Sequence, residues 1–114
     1  MINQGDIAWL DLNPQSGHEQ MGHGPVIVVS NSEFHLLTGN KLAMVCPITN
    51  TGRANLLHIE LDKETHTTGF IMCEQAKVLD MTTRNYQFIE KVPAAVLSAV
   101  LCRVQAISLP DVMV

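Results

Sequence analysis

Positive charge, aromatic side chains and long apolar runs are all scarce in this sequence. Only seven residues are Lys or Arg against eleven Asp and Glu, and the net charge of −4 argues against a protein that binds nucleic acid by general electrostatic attraction. No apolar stretch approaches the roughly 20 residues that cross a bilayer. The first residues, MINQGDIAW, lack a basic segment followed by an apolar one, so we expect a cytoplasmic protein without a secretory signal or a membrane span.

Cysteine is also too sparse to build a framework. Cys46, Cys73 and Cys102 are odd in number, form no CxxC pair and lie in apolar surroundings. This pattern favours reduced, buried thiols and gives no indication of a disulfide or of a zinc or other metal site.

Apolar content is sufficient for one core. Hydrophobic residues make up 46% of the 114 residues and charged residues 16%, without a low-complexity segment. This composition predicts one folded domain over residues 1–114 and excludes a disordered chain.

Period-two alternation and continuous apolar runs predict a mainly β protein. Strands are expected over 5–14, 26–29, 41–49, 56–61, 70–80 (one bent strand or two consecutive ones) and 86–92, with one helical turn within 31–40. After Pro93, apolar residues recur at helical spacing and predict an amphipathic helix whose core face holds Val96, Leu97, Val100, Leu101, Val104 and Ile107. A small antiparallel β-barrel or curled sheet with one C-terminal helix packed on it is the expected fold.

The opposite face of this helix is small and almost uncharged. It carries Ala95, Ser98, Ala99, Cys102 and Ala106 where a solvated face would ordinarily carry Lys and Glu. We therefore expect this face to meet another chain.

A glycine-rich polar loop leads into the apolar run 26–29 and is the first candidate site. Between Gly17 and Gly24 stand His18, Glu19, Gln20 and His23, which offer a carboxylate, an amide and two imidazoles for proton transfer or phosphate contact. A loop rooted in a buried strand is well placed to hold a site. The alternative is a polar hairpin loop with solvated histidines.

Three segments in order, GDIAWLDLNPQSGHEQMGHGPVIVVSN, CPITNTG and TTGFIMCEQAKVLD, resemble the MazF/PemK-type toxins of bacterial type II toxin–antitoxin systems over about residues 4–107. The resemblance implies an SH3-like barrel, a homodimer and a sequence-specific endoribonuclease that cuts single-stranded mRNA without a metal or other cofactor. It further implies products with 2′,3′-cyclic phosphate and 5′-hydroxyl ends, growth arrest, and an antitoxin partner whose flexible acidic tail covers the RNA groove.

Matched position by position, the resemblance implies site roles for particular residues. Glu19 and Thr49 fall on site positions of the family, where Glu19 suits a proton acceptor and Thr49 a hydroxyl donor to a phosphate oxygen. The residues expected to contact RNA are Gln20, Asn50, Arg53, Gln75, Lys77 and Arg84.

One position departs from the family pattern. The residue before the loop's proline is typically arginine in the family, and this chain has Gly24 there. Glycine cannot donate to phosphate or stabilise developing charge, and the neighbouring His23 is a partial substitute at best because an ordinary imidazole is largely neutral at pH 7. The chain is then either a naturally attenuated enzyme or a disabled one.

Two non-catalytic functions remain as alternatives. A toxin of the same fold that binds DNA gyrase would not need the polar Glu19–Gln20 loop beside Thr49, whereas a protein that only sequesters antitoxin fits the Gly24 departure. Cleavage of a long RNA with cyclic-phosphate ends separates the enzyme from both.

Overall fold

The computed structural model describes residues 1–12, 22–61 and 63–112 of the chain and shows a curled antiparallel sheet with one long helix among them. The strands are β1 (Asp6–Asp11), β2 (His23–Val28), β3 (Leu42–Thr49), β4 (His58–Glu60), β5 (Phe70–Met72), β6 (Lys77–Asp80) and β7 (Gln87–Lys91). The helices are α1 (Ser32–Leu37) and α2 (Ala94–Ile107), with 3-10 turns at Cys73–Gln75 and Met81–Thr83.

The strands follow the order β4-β5-β3-β2-β1-β7, and β6 pairs with β3. All pairings are antiparallel. The eight-residue β3 reaches both β5, through Ile48 and Thr49, and β6, through Leu42–Val45. The sheet curls without closing on itself, so the expected barrel is better described as an open curled sheet.

Segment 70–80, expected as one bent strand or two, forms two strands. The 3-10 turn Cys73–Gln75 separates β5 from β6, and each strand pairs with a different part of β3. This turn also contacts α2, so the change in chain direction between β5 and β6 lies beneath the helix.

β2 begins earlier than its apolar pattern predicts. The predicted strand covers residues 26–29, yet pairing with β1 extends back through Trp9↔Pro25 and Leu10↔Gly24 to Asp11↔His23. His23 and Gly24 therefore belong to a strand and not to the preceding loop. Pairing with an already formed neighbour overrides the weak strand propensity of His-Gly-Pro.

The core consists of two apolar clusters on opposite faces of the sheet. The first lies under α2 and includes Ile7, Ile27, Cys46, Ile48, Ile71, Cys73 and Val100. The second includes Leu10, Leu12, Val26, Val28, Ala43, Val45 and Met81. Alternation along each strand sends neighbouring side chains to different clusters, which is why β1 to β3 are buried along most of their length.

Helix α1 confirms the predicted turn within 31–40. Asn31 caps it by accepting a hydrogen bond from the Phe34 amide through Oδ1 at 3.0 Å. Gly39 follows the helix at φ +65°, a conformation that favours glycine.

Helix α2 confirms the predicted amphipathic helix, with one correction. Val100 is buried and Val96, Leu97, Leu101 and Val104 pack against the first cluster, but Ile107 is 57% exposed. Core contact ends at Val104, so the final turn of the helix extends past the sheet. No helix in the described ranges is long and apolar enough to span a membrane.

The three cysteines are not all buried, although the sequence predicts that they are. Cys46 and Cys73 are buried, and burial raises the pKa of the Cys46 thiol to about 12 and that of Cys73 to about 11. Both are therefore protonated and unreactive at neutral pH. The prediction was wrong for Cys102, which is exposed because it lies on the outer face of α2.

Candidate functional site

An open cavity of about 550 Å³ lies where β1, β2 and β3 meet the segment before β5. We call it the Trp9 cavity. Its lining residues are Trp9, His23, Gly24, Pro25, Ile48, Thr49, Asn50, Thr51, Thr67, Thr68 and Ile89. Apolar side chains from the sheet form one part of the wall. Hydroxyl and amide groups from the segment after β3 and the segment before β5 form the other.

Thr49 ends β3 and is nearly buried at the cavity wall. Its Oγ1 lies 2.9 Å from Oγ1 of Thr51 and accepts a hydrogen bond from the Thr51 amide at 3.2 Å. These contacts fix the hydroxyl position as the chain leaves the strand. A hydroxyl held in this way is preorganised to donate to an oxygen of a ligand.

Asn50 links the two loops of the cavity. Its Oδ1 accepts a hydrogen bond from Oγ1 of Thr68 at 3.1 Å. Gly69, at φ +122°, allows this close approach, because a Cβ at that position would lie 2.6 Å from the Thr49 carbonyl oxygen. Gly69 is therefore required for the loops to meet.

Trp9 and His23 form the aromatic edge of the cavity. Trp9 is 39% exposed on a strand whose flanking residues Ala8 and Leu10 are fully buried. The indole and imidazole centroids are 5.3 Å apart with their planes at 73°, which is an edge-to-face contact. Each ring thus limits the orientations of the other.

Gly24 is buried within β2, opposite Leu10, and lines the cavity. The expectation that Gly24 belongs to the polar loop was wrong, because pairing with β1 draws the glycine into the sheet. Its φ is not among the positive values found in the described chain, so the backbone itself accepts other residues.

Hydrogen bonds to Glu90 of β7 hold the loop that carries Thr67 in place. Its carboxylate accepts hydrogen bonds from the His66 amide at 3.1 Å and from the amide and Oγ1 of Thr67 at 2.7 and 2.8 Å. Burial raises the pKa of this carboxyl, but the hydrogen bonds outweigh it, and the net pKa lies below the ordinary value. The ionised form therefore holds this wall of the cavity in place.

Formal charge is absent from the lining of the cavity within the described residues: His23 is the one titratable group there. No group of three or more His, Cys, Asp or Glu in residues 1–12, 22–61 and 63–112 is placed to hold a metal ion. The available interactions are hydroxyl and amide hydrogen bonds, an imidazole and apolar contact.

The structure brings together four of the predicted site residues, His23, Gly24, Thr49 and Asn50. Glu19 and Gln20 lie outside the described residues, as does His18. The other predicted RNA contacts lie elsewhere in the described chain.

Arg53 lines a neighbouring cavity of about 360 Å³ that shares Thr51 with the Trp9 cavity. Gln75 and Lys77 line a separate cavity of about 190 Å³ with Glu74. Arg84 donates through Nη1 to the Asp11 carbonyl oxygen at 3.2 Å. Within one chain, Arg53 therefore lies at the margin of the Trp9 cavity, whereas Lys77 and Arg84 do not line it.

Sequence reasoning missed several residues of the cavity, namely Trp9, Thr51, Thr67, Thr68 and Ile89. The Thr-rich segment before Gly69 lies between two predicted strands and was given no role, although its clustered hydroxyls were a usable signal. Trp9 lies in a strand with alternating apolar residues, and period alone does not show which of these stays uncovered.

Three comparisons bear on this arrangement. The model of the PemK-like, MazF-like toxin of type II toxin-antitoxin system matches residues 3–108. The chain is 34% identical to Endoribonuclease PemK of Escherichia coli over 110 residues, which cover 93% of this chain and 81% of that protein.

Solved structures share the fold. MazF from Deinococcus radiodurans matches with a TM-score of 0.83 at 27% identity, covering 93% of this chain and 94% of that one. A MazE-MazF structure from the same organism matches with a TM-score of 0.76 at 22% identity, covering 93% of each, and shows the fold alone. Because the family match spans nearly the whole chain and the fold agrees with it, this protein belongs to the PemK-like, MazF-like toxin family of type II toxin-antitoxin systems.

Proposed function

We propose that this chain is the toxin of a toxin–antitoxin pair and an endoribonuclease that cleaves single-stranded RNA in the cytoplasm, arresting growth through lost mRNA. The carrying observation is the Trp9 cavity, which gathers Thr49, Asn50 and His23 at one end of the sheet in a chain 34% identical to an endoribonuclease. The cavity offers an aromatic surface for a base and fixed hydroxyls for phosphate oxygens.

The proposed chemistry is transfer of the phosphoryl group to the neighbouring 2′-hydroxyl. The 2′-oxygen attacks phosphorus, the bond from phosphorus to the 5′-oxygen breaks, and the products carry a 2′,3′-cyclic phosphate and a 5′-hydroxyl. A base must take the 2′-hydroxyl proton and an acid must protonate the leaving oxygen. His23 and Glu19 are the proposed proton carriers, and the Thr49 hydroxyl donates to a non-bridging oxygen of the phosphate.

The lack of Lys and Arg among the described residues that line the cavity sets the expected rate. The charge that develops on the phosphate is met there by neutral donors, with glycine at position 24 where the family's arginine would stand. Loss of one well-placed donor costs on the order of 3 kcal/mol, or roughly a hundredfold or more in rate. We therefore propose an attenuated enzyme, whose phosphate contacts include Gln20, Arg53, Gln75, Lys77 and Arg84 where a second chain brings them near.

A homodimer is proposed for the same reason. The outer face of α2 exposes Ala95, Ser98, Cys102 and Ala106, without a charged side chain among them. Mass measurement at micromolar concentration should give about twice 12.5 kDa. Ala95→Glu places a charge on this face and should yield monomer, while Thr83→Glu, at an exposed position of a 3-10 turn, should remain dimeric.

The proposed partner is an antitoxin with a flexible acidic tail, since membership in this family implies a cognate antitoxin. Coupled folding lets such a tail cover a wide surface, including the Trp9 cavity. In competition, saturating antitoxin should displace a short RNA. An RNA that stays bound would show that the tail and the RNA use different surfaces.

RNA cleavage by the purified protein in the presence of EDTA tests the activity. Fragments should accept label from polynucleotide kinase without prior phosphatase treatment, because their 5′ ends carry hydroxyls, and their 3′ ends should carry cyclic phosphate. Thr49→Val removes only the hydroxyl and should lower the rate at least tenfold, whereas Thr83→Val, at an exposed threonine away from the cavity, should not change it.

The same experiment addresses the non-catalytic alternative. Gly24 favours a protein that only sequesters antitoxin, because the described residues that line the cavity include no Lys or Arg. Intact RNA after incubation with folded wild-type and Gly24→Arg proteins, each binding antitoxin, would overturn the enzymatic proposal in favour of this alternative.

A further inference from the structure

Trp9 stands out among the residues of β1. The strand is buried along most of its length, yet the indole remains 39% exposed and lines the cavity. Trp9 is also the only tryptophan of the chain. A large apolar side chain left open at a polar cavity is the feature that the proposed phosphoryl-transfer chemistry does not use.

The surroundings of the indole suit a flat ring with a polar edge. Pro25 and Ile89 extend the apolar wall beside Trp9. The cavity is also lined by Asn50 and Thr68, whose side-chain amide and hydroxyl are joined by a 3.1 Å hydrogen bond. An unpaired nucleobase has both a π-face that stacks on indole and an edge that bonds to amides and hydroxyls.

Charge cannot supply most of the affinity at this place. The lining carries no Lys, Arg, Asp or Glu in the described part of the chain. Binding through phosphate neutralisation needs such cations and is sensitive to salt, whereas stacking is not. The composition of the cavity therefore favours recognition of a base over recognition of the backbone.

We propose that Trp9 is the platform on which one unpaired base of the substrate strand stacks, with Asn50 and Thr68 facing the edge of that base. This inference rests on the proposed function only in identifying the strand as a ribonuclease substrate. His23, in edge-to-face contact with the indole, positions the platform. Trp9 is thus a binding residue, distinct from the groups that move protons.

Binding of single-stranded oligodeoxyadenylate of eight nucleotides tests the platform, because DNA lacks the 2′-hydroxyl and is not consumed. Stacking on the only tryptophan should quench the intrinsic fluorescence of the protein. An abasic oligonucleotide of the same length keeps the phosphates and loses the bases. It should neither quench the fluorescence nor bind at the same concentration.

Variants separate stacking from apolar contact. Trp9→Leu should weaken oligodeoxyadenylate binding about tenfold, measured by the anisotropy of a labelled strand, and Trp9→Phe should weaken it less. Phe88→Leu is the matched control, since Phe88 is an exposed aromatic on the adjacent strand β7 that does not line the cavity. Circular dichroism confirms that each variant is folded.

The outcomes are distinct from those of the cleavage assay. Quenching by oligodeoxyadenylate without any RNA cleavage would support the platform and refute the enzymatic proposal. Equal binding by wild type, Trp9→Phe and Trp9→Leu, equal binding of the abasic strand, or no binding by wild type would overturn the platform even if RNA is cut.

Discussion

Polar groups are used in opposite ways at the start of β1, which we call its ionic end, and around Trp9 in its second half, which we call its neutral end. At its start, Asp6 is 1% exposed and forms an ion pair with Lys91 of β7, with 2.6 Å between Oδ1 and Nζ. Three residues later, Trp9 opens onto a cavity whose described lining carries no Lys, Arg, Asp or Glu. One end therefore buries charge to fix the sheet, and the other exposes an apolar ring beside neutral donors.

The ionic end is a structural cluster. The Asn3 amide donates to Asp6 Oδ2 at 3.0 Å, and the Tyr86 hydroxyl donates to the same oxygen at 3.4 Å. Burial and the neighbouring Asp6 carboxylate raise the pKa of Tyr86 to about 12, so it remains a donor at physiological pH. These contacts tie the N-terminus and β7 to β1. The comparison shows that the charged groups around Asp6 stabilise the fold, whereas the described lining of the Trp9 cavity carries no Lys, Arg, Asp or Glu.

Placing a cation in the neutral end should produce the largest effect. Gly24→Arg is expected to raise the rate of RNA cleavage at least tenfold, since a well-placed donor to phosphate contributes on the order of 3 kcal/mol. The rate should fall again when Thr49→Ala or Glu19→Ala is added. The salt dependence of RNA binding should also steepen, with a slope larger by about 0.7.

Because Gly24 is buried, the melting temperature of Gly24→Arg must be measured beside the kinetics. Gly24→Ala is the matched control, as it adds a side chain without charge. A folded Gly24→Arg protein that cleaves RNA no faster than Gly24→Ala would show that the absence of a cation at position 24 does not limit the rate.

Removing the charge from the ionic end should change stability and leave binding intact. Asp6→Asn keeps the shape of the side chain but loses the ion pair with Lys91, and its expected cost is about 2 kcal/mol, or about 8 °C in melting temperature. Lys91 is exposed enough to remain solvated, which limits the cost. If oligodeoxyadenylate binding fell along with stability in the folded variant, the two ends of β1 would not be independent.

Glu90 combines the two roles, since its ionised carboxylate holds the loop at Thr67, which is part of the neutral wall of the Trp9 cavity. Glu90→Gln should lower stability by about 1 kcal/mol at pH 7. The folded pKa lies below the ordinary 4.5, so this contribution is present above that value and is lost as pH falls through the folded pKa.

The melting curves of wild type and Glu90→Gln should therefore converge as pH falls from 5 toward 3. A difference in melting temperature that stays constant over this range would show that ionisation of Glu90 does not stabilise the loop at Thr67.

The smallest effect is expected at Lys77, which lies apart from the Trp9 cavity in one chain. Lys77→Gln should weaken RNA binding only a fewfold and reduce the salt slope by about 0.7 if it contacts one phosphate. Lys41→Gln, at an exposed position before β3, provides the comparison. Identical slopes for the two variants would remove Lys77 from the RNA surface.

Much of the fold could be predicted because its signals are local. Each segment predicted to contain a strand does contain one, and the helical turn predicted within 31–40 forms as α1. The errors occur where a contact between distant segments determines the structure of a residue. Pairing with β1 draws His23 and Gly24 into β2, and the packing of α2 turns Cys102 away from the core. Propensity does not register such long-range pairing.

The sequence by itself determined the family, the strand and helix pattern and the presence of glycine at position 24, because these depend on motif order, periodicity and residue identity. Only the tertiary structure decided which side chains share the cavity, since Trp9, Thr49 and Thr68 come from separate segments and meet through strand register and the close approach at Gly69. It also decided that the Asp6 carboxylate is buried in an ion pair and that the Trp9 side chain remains partly exposed. Burial depends on what the rest of the chain places above a residue, and no local pattern contains that information.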